Sequence, residues 1–422
     1  MNFMRKIVFS IVIFLCSISA FGQNNSGTPY SKYGLGLFPD NYGPYTAMGG
    51  VSVAMRDNYN INFMNPASYT ALDTLRFYFQ LGVSGEYVDI STNKEHSKYQ
   101  VAQNASINMA FRLYKKLFMS FGFNEKSDIG YDILYNNEVI GDPSMRFLQH
   151  IEGEGGLNEA YLGLAYQFGK LSIGVNSSLI FGKVEERQTL QILPLGSGYY
   201  LKTRTQIDIF DALFTMGAQL PLQLNKNSNL TLGTSFNFGT NFHGKKTFEA
   251  YKISMTNGTQ TPINDEKWED GNIHYPFKMI IGTTYEYKKR WLFSGDYTFQ
   301  NMSQYQEFGG ERVYKNYHKA ALGGYFQPDA TGRHWWQRNK YMAGTYFTKS
   351  HIDLNDHTIN TYGITVGSQI PVRLRTQELM LGVAFDFGMR GTRSNNLILE
   401  KYAKVRINIA FKERWFMKSK IN

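Results

Sequence analysis

From residue 76 onward the chain is a succession of segments, roughly 10–14 residues each, in which apolar and polar side chains alternate. After residue 21 no apolar run approaches the ~20 residues that a membrane helix needs. A period of two is what a strand with two different faces requires. In the first segment Phe77, Phe79, Leu81, Val83 and Tyr87 fall on one face, and Tyr78, Gln80, Ser84 and Glu86 on the other. The second sets Ala105, Ile107, Met109, Phe111 and Leu113 against Ser106, Asn108 and Arg112. After a tight turn at Tyr114-Lys115-Lys116, the third turns Leu117, Met119, Phe121 and Phe123 outward. Apolar outside and polar inside is the pattern of a strand between lipid and a lumen. The expected fold is all-β: a transmembrane antiparallel β-barrel.

The first residues predict how such a chain reaches a membrane. Arg5 and Lys6 precede an apolar stretch, Ile7–Phe21, too short to span, and Ala20-Phe21-Gly22 offers small residues for cleavage before Gln23. Residues 1–22 therefore read as a secretory signal peptide with no part in the fold. The single cysteine, Cys16, lies inside it, and Leu15 before it is a poor match to a lipoprotein cleavage site. A mature chain without disulfides must draw its stability from a closed hydrogen-bond network. Aromatic residues make up 15%, mostly Tyr and Phe, which suits strands and interfacial girdles. Composition alone also leaves open a secreted soluble β-protein. Of the net charge of +10, much sits at predicted turns (Lys115, Lys116, Lys170, Lys288, Lys289, Arg290) and in the tail from Lys412 to Lys420. Basic turns beside anionic headgroups fit that distribution, and no basic, aromatic-interleaved groove points to nucleic acid.

About fourteen strands are expected. After the first three they fall near 157–168, 170–183, 203–222, 228–239, 274–287, 290–301, 316–327, 338–350, 359–372, 377–388 and 400–411. Short connections at 114–116, 169–170, 223–227, 288–289 and 373–376 alternate with long ones at 91–103, 126–156, 184–202, 240–273, 302–315 and 389–399. Two connections are intermediate, at 328–337 and 351–358. Short turns are periplasmic in bacterial barrels, so an even strand count puts both termini in the periplasm. No blade-sized repeat supports a propeller. Many strand glycines, among them Gly122, Gly163, Gly174, Gly233, Gly282, Gly344 and Gly367, point inward by parity and make room for something. The last strand closes on the first, and Trp415-Phe416 supplies an interfacial anchor.

Residues 23–75 have another texture, rich in Gly, Pro, Asn and Ser. They hold Ala47-Met48-Gly49-Gly50-Val51-Ser52-Val53-Ala54 and then Asn65-Pro66-Ala67-Ser68-Tyr69. A Gly-rich stretch followed by Asn-Pro-Ala just before the first strand resembles the amino-terminal hatch of FadL-type outer-membrane transporters. Tyr30–Gly36 and the tail 412–416 are similar to the branch found in Bacteroidetes-type bacteria. The resemblance implies a fourteen-stranded barrel, a lumenal plug at 23–75, and a barrel with a periplasmic tail at 76–422. It also implies passive inward movement of long-chain fatty acids or other hydrophobic compounds, with exit through a break in the wall at an early strand. The implied partners are such a molecule, outer-membrane lipids with lipopolysaccharide, and the barrel-assembly machinery.

The residues also allow a mechanical reading. Asn65 can cap a helical start and Pro66 suits its first position, while Gly49 and Gly50 let backbone pass close to a wall. A gating hatch and a rigid plug are both compatible with this. In the third strand, alternation fails across 121–130. Either a bulge forms there, or the strand ends at Asn124 and a surface loop begins, which is the plainer reading.

The chemistry is sparse. The eight histidines show no metal-ligand spacing, no phosphate-binding loop occurs, and no short motif marks a Ser-His-Asn set. Neither an enzyme nor a cofactor is expected. Glu185-Glu186 and Asp265-Glu266 read as charged external loops. By parity Arg112, Lys278, Glu286, Asp296, Lys319, Asp386 and Arg406 face the lumen. Lys278, Lys319, Arg112 and Arg406 are the candidate anchors for a substrate carboxylate, salt bridging to lumen acids or to the plug being the other reading. The rival to transport is a non-transporting barrel of the same shape, acting as scaffold or cargo shuttle for a protein-secretion system. A general porin is disfavoured by residues 23–75.

Overall fold

The computed structural model describes residues 27–37, 43–139, 142–193, 198–263, 267–354, 356–374 and 377–414. The expected signal peptide, the Trp415-Phe416 anchor and Asp265-Glu266 lie outside them. The strands are β1 (Arg76–Ser91), β2 (His96–Tyr114), β3 (Leu117–Val139), β4 (Asp142–Phe168), β5 (Leu171–Leu193), β6 (Tyr199–Asn225), β7 (Ser228–Asn237), β8 (Thr240–Ser254) and β9 (Gln260–Pro262). They continue with β10 (Lys267–Tyr275), β11 (Lys278–Tyr287), β12 (Trp291–Gln300), β13 (Gln306–Glu307), β14 (Tyr317–Phe326), β15 (Lys340–Leu354), β16 (His357–Leu374), β17 (Gln377–Gly391) and β18 (Leu399–Arg414).

Fourteen of these close a ring. β1 to β7 pair in sequence, β7 pairs with β11, and the ring runs on through β12, β14, β15, β16, β17 and β18 back to β1, antiparallel throughout. Each of the fourteen lies on a segment expected from alternation. β5 shows the cause: every second residue of its lower half is buried and those between are not, with Ile173 and Leu179 outside and Ser172, Asn176 and Ser178 inside. Around the ring the outward set is large and apolar, including Leu164, Phe214, Leu232, Phe293, Leu322, Phe347, Ile364, Phe385 and Ile407. A belt of that size is stable in lipid, and closing the ring pairs the first strand with the last. The chain is a transmembrane barrel.

The expected long loops are corrected. β3 and β4 run through most of 126–156, β5 continues to Leu193, and β6 starts at Tyr199. The span 240–273 holds β8, β9 and most of β10, and β2 already begins at His96. Beyond the membrane both faces of a hairpin meet water, so alternation disappears from the sequence while the backbone ladder continues. Glu185 is accordingly no loop residue: it is buried in β5 and accepts hydrogen bonds from Arg187 and Arg204. The wall is lopsided as a result. β4 and β6 span 27 residues each, roughly 90 Å along the strand at ~3.3 Å per residue, whereas β7, β11, β12 and β14 have only 10. Above the short strands, β8 pairs with upper β6, β10 with β8, and β13 with β10.

Strand β3 does not end at Asn124 either. It continues to Val139 with a register shift between Glu125 and Ser127 against β4. Opposite this bulge stand Gly155 and Gly156, at φ 116 and 145, where a Cβ would come within 2.0 Å of the Lys183 carbonyl and 2.3 Å of the Ser127 carbonyl. Lys126 pairs with buried Glu159 at 3.0 Å.

Candidate functional site

Residues 43–72 lie inside the barrel, with their backbone flush against the wall. Two 3-10 turns organise them, Pro44–Met48 and Pro66–Ala71, each opened by a proline. The first packs on β14 to β17 and the second on β3 to β6. Inward glycines make the close approach possible. A Cβ on Gly217 would sit 2.0 Å from Asn65 Oδ1, one on Gly174 2.5 Å from the Pro66 carbonyl carbon, and one on Gly323 2.2 Å from the Met48 oxygen. The wall was cut to fit this segment.

Polar wall residues then satisfy its backbone. The Asp296 carboxylate accepts from the Ser52 and Val53 amides at 2.6 and 2.9 Å. Gln219 donates to the Val53 and Met55 carbonyls at 2.9 and 3.1 Å, and Gln80 both accepts from and donates to Ile61. Arg56 donates to Ser172, Gln219 and Thr70, and burial without an acid lowers its pKa to about 10. Burial opposes ionisation of Asp57, but Lys340 at 3.3 Å, the Tyr59 amide and Asn60 outweigh it and hold the acid below the usual carboxylate range.

Each residue expected to matter has a definite place. Gly49 ends the first turn at φ 71 and its amide donates to Thr365 Oγ1 at 2.7 Å; Gly50, at φ 79, lies beside Lys319. Asn65 is fully buried and caps the second turn: its Oδ1 accepts from the Ala67 amide at 3.1 Å, and its Nδ2 donates to the Val53, Ala218 and Thr234 carbonyls. Pro66 and Ala67 open that turn. Lys319 stands over the Tyr346 ring at 5.1 Å. Lys278 and Arg406 line one cavity of about 110 Å³ in the upper lumen. Arg112 stands apart from them, reaching the Lys115 carbonyl in the β2–β3 turn.

That cavity borders the weakest part of the wall. Among the described residues the β2–β3 ladder runs from Tyr114 opposite Leu117 up to Ile107 opposite Phe123 and stops, although β2 continues to His96 and β3 to Val139. Residues 27–37 take the β3 edge instead. Thr28 donates to the Gly130 carbonyl at 3.0 Å, Leu37 and Asp128 exchange both backbone hydrogen bonds at 3.0 Å, and the Gly130 amide donates to Ser31 Oγ at 3.1 Å. The other side of this strap is anchored on β18. Tyr30 donates to the Ile398 carbonyl, and Thr28 Oγ1 donates to the fully buried Glu400, which also pairs with Arg390 at 2.9 Å. The cavity lies behind, with Val88, Val101 and Leu37 on the seam side and Lys278, Gln300 and His351 across from them. The Arg406 guanidinium makes no hydrogen bond or ion pair among the described residues, while its backbone pairs with β1 and β17.

The strap and its anchor pair were not expected from sequence, since Thr28, Arg390 and Glu400 carry no local motif. Gln80, Gln219 and Asn176 were findable: each is an inward polar residue in the membrane-spanning part of its strand, where an unpaired amide would be costly. No group of three or more His, Cys, Asp or Glu suited to a metal ion occurs among the described residues.

A family model, BamG, matches residues 3–422, nearly the whole chain. The chain belongs to the BamG family. No curated protein matches it significantly. Among solved structures, this BamG-family barrel is similar to the P. putida toluene transporter TodX, with TM-score 0.60 and 15% identity over 90% of this chain and 100% of that one. It is likewise similar to a Pseudomonas aeruginosa FadL homologue (TM-score 0.62, 11% identity, 87% and 98% covered). A third is the CymD monoaromatic hydrocarbon channel (0.58, 13%, 89% and 98%). Identities this low speak for fold: the barrel is FadL-type, as the Gly-rich and Asn-Pro-Ala motifs implied. They transfer no residue roles.

Proposed function

We propose that this barrel sits in the bacterial outer membrane with both termini periplasmic and passively admits hydrophobic compounds bearing an acidic head, a long-chain fatty acid being the simplest. Residues 23–75 then act as the hatch and 76–422 as the barrel with its tail. The observation that carries this reading is the upper lumenal cavity. It is lined by cations, Lys278 across the lumen and Arg406 on β18 beside β1, and by apolar Val88 and Val101. The acids Glu86, Asp128 and Asp386 line it too, of which Glu86 already pairs with Lys404 at 2.9 Å. It lies behind a seam where, among the described residues, residues 27–37 take the β3 edge. A carboxylate seated on Arg406 gains a charge-assisted bond; at about 110 Å³ the cavity holds the head alone, and the tail extends past the seam. Release of the strap opens a sideways path into lipid. Gly49, Gly50, Asn65, Pro66 and Ala67 seat the hatch, with Lys319 beside Gly50 holding it rather than the ligand. Similarity to a toluene transporter and a hydrocarbon channel supports the apolar part of the ligand.

Uptake of labelled oleate tests this. Deletion of the gene should lower uptake and the wild-type gene should restore it, while Arg406→Gln should raise the half-saturating oleate concentration ~10-fold, the loss of one charge-assisted bond. Uptake unchanged by deletion overturns the reading. One observation favours the second reading, a scaffold or shuttle for protein secretion: the one-sided extracellular wall of β3 to β6 with β8 and β10, which a pore has no need of. Normal oleate uptake together with lost export of a surface protein in the deletion strain would select it.

A further inference from the structure

On the lipid-facing side, β12, β14 and β15 form an apolar groove of about 690 Å³ near their periplasmic ends. Its floor is made by two small residues opposite each other, Gly324 on β14 and Ala343 on β15. Phe293 walls one side, where it is the cross-strand neighbour of Gly324, and Leu322 stands above. Below runs an aromatic sill in register across three strands: Trp291, Phe326 and Tyr341. The Trp291 and Phe326 ring centroids are 4.2 Å apart.

The foot of the groove is basic. Arg290 immediately precedes Trp291, and its carbonyl accepts from the Gln327 amide at 2.8 Å, which fixes this turn against the end of β14. Lys288, Lys289 and Arg290 follow one another there, all exposed; Lys288 lies over the Tyr287 ring at 5.1 Å, while Lys289 borders the mouth of the lumen beside Glu286. Arg333 is exposed in the neighbouring turn, which Tyr341 ties to the sill by donating to the Trp336 carbonyl at 3.2 Å. Among the described residues none of these four cations has an ion pair. The acid of that neighbouring turn, Asp329, accepts hydrogen bonds from Thr331 at 2.9 Å and also feels the charge of Arg290, so it offsets part of that cation. Trp335 and Trp336 are exposed beside them, at the level where aromatic side chains meet headgroups.

We propose that this groove is a binding site for one anionic phospholipid of the periplasmic leaflet. An acyl chain lies over Gly324 and Ala343, and the phosphate meets the Lys288–Arg290 turn. Charge and depth select the occupant. The apolar floor takes hydrocarbon, the cations stand at the polar end of the same leaflet, and a basic pocket at the membrane surface binds anionic headgroups. The site is on the outside of the wall, so it does not depend on the lumenal cavity, although the leaflet it faces rests on the orientation proposed above.

The test is retention of lipid by the purified full-length barrel, followed by native mass spectrometry. Dioleoyl phosphatidylglycerol and dioleoyl phosphatidylethanolamine are the two probes, alike in their tails. One phosphatidylglycerol should be retained at least tenfold more strongly than phosphatidylethanolamine. Ala343→Phe, which fills the groove from the lipid side, and the Lys288→Gln/Arg290→Gln double variant should each weaken it at least tenfold. A folded, unboiled gel band for each variant excludes unfolding as the cause. Equal retention of the two lipids, or retention unaltered by Ala343→Phe, overturns the proposal.

Discussion

Two junctions of the same ring behave in opposite ways. Between β18 and β1 the ladder is complete, from Arg76 opposite Arg414 to Ser91 opposite Leu399. Between β2 and β3, among the described residues, it stops at Ile107 and Phe123, and the chain's own residues 27–37 bind the β3 edge above. The first junction is closed by strands, whose backbone bonds are lost only when the barrel unfolds. The second is held by a strap with few bonds, whose release leaves the rest of the ring paired. One wall thus contains a junction closed by strands and one closed by a strap, which the proposed function reads as removable, and the strap is anchored on the strand-closed side by Tyr30 and Thr28.

The largest expected effect follows from that anchor. Glu400→Ala leaves Arg390 buried without its partner, and breaking a buried pair costs about 3–5 kcal/mol. The folded gel band should be lost at a markedly lower temperature, and the strap should become accessible to protease first. If the band is unaffected, the anchor carries little.

Next comes the fit of the lumenal segment. Gly217→Val puts a Cβ where Asn65 Oδ1 now lies, and overpacking of this kind costs about 1–3 kcal/mol. The same substitution at Gly198, which has open space around its Cβ position but a φ of 64, should act only through local backbone strain. Thermal melts of the two variants separate these cases. Asn65→Ala removes a cap and its Nδ2 donors, with an expected loss of about 1–2 kcal/mol from the cap alone. Proteolysis should then cut within 43–72 while the strands stay intact.

The smallest effect is one of pH. Asp57 titrates below its unfolded value of about 3.9, so its contribution is complete above that value and disappears as pH falls through the lower folded one. Melting temperature should drop more steeply below about pH 4 for wild type than for Asp57→Asn. Parallel curves would mean that the Asp57–Lys340 pair adds nothing to holding the segment.

How much of this was legible in the sequence depends on what each residue faces. Where one face meets lipid and the other a packed lumen, alternation is enforced, and β5 could be read directly from residues such as Ile173, Asn176 and Leu179. Above the membrane that contrast vanishes, so 126–156 looked like a loop although it is mostly β3 and β4. The Asn65-Pro66 turn was readable because capping is local. The strap was not, since Thr28 meets Glu400 only after the ring has closed. Nor was the early end of the β2–β3 ladder: an unpaired edge leaves no mark on the residues that border it. Lys278 and Arg406 were assigned to the lumen by parity, and only the ring shows that they share a cavity while Arg112 lies at the opposite mouth.

The most direct test of a removable seal is to make it permanent. Leu37 and Asp128 are antiparallel bridge partners, and the only native cysteine is Cys16, so a Leu37→Cys/Asp128→Cys pair can be joined by oxidation in the otherwise unmodified chain. Oleate uptake should stop when the disulfide forms and return when it is reduced, with no change in the folded gel band. Uptake that is the same in the locked and reduced states would contradict a seam opened by strap release.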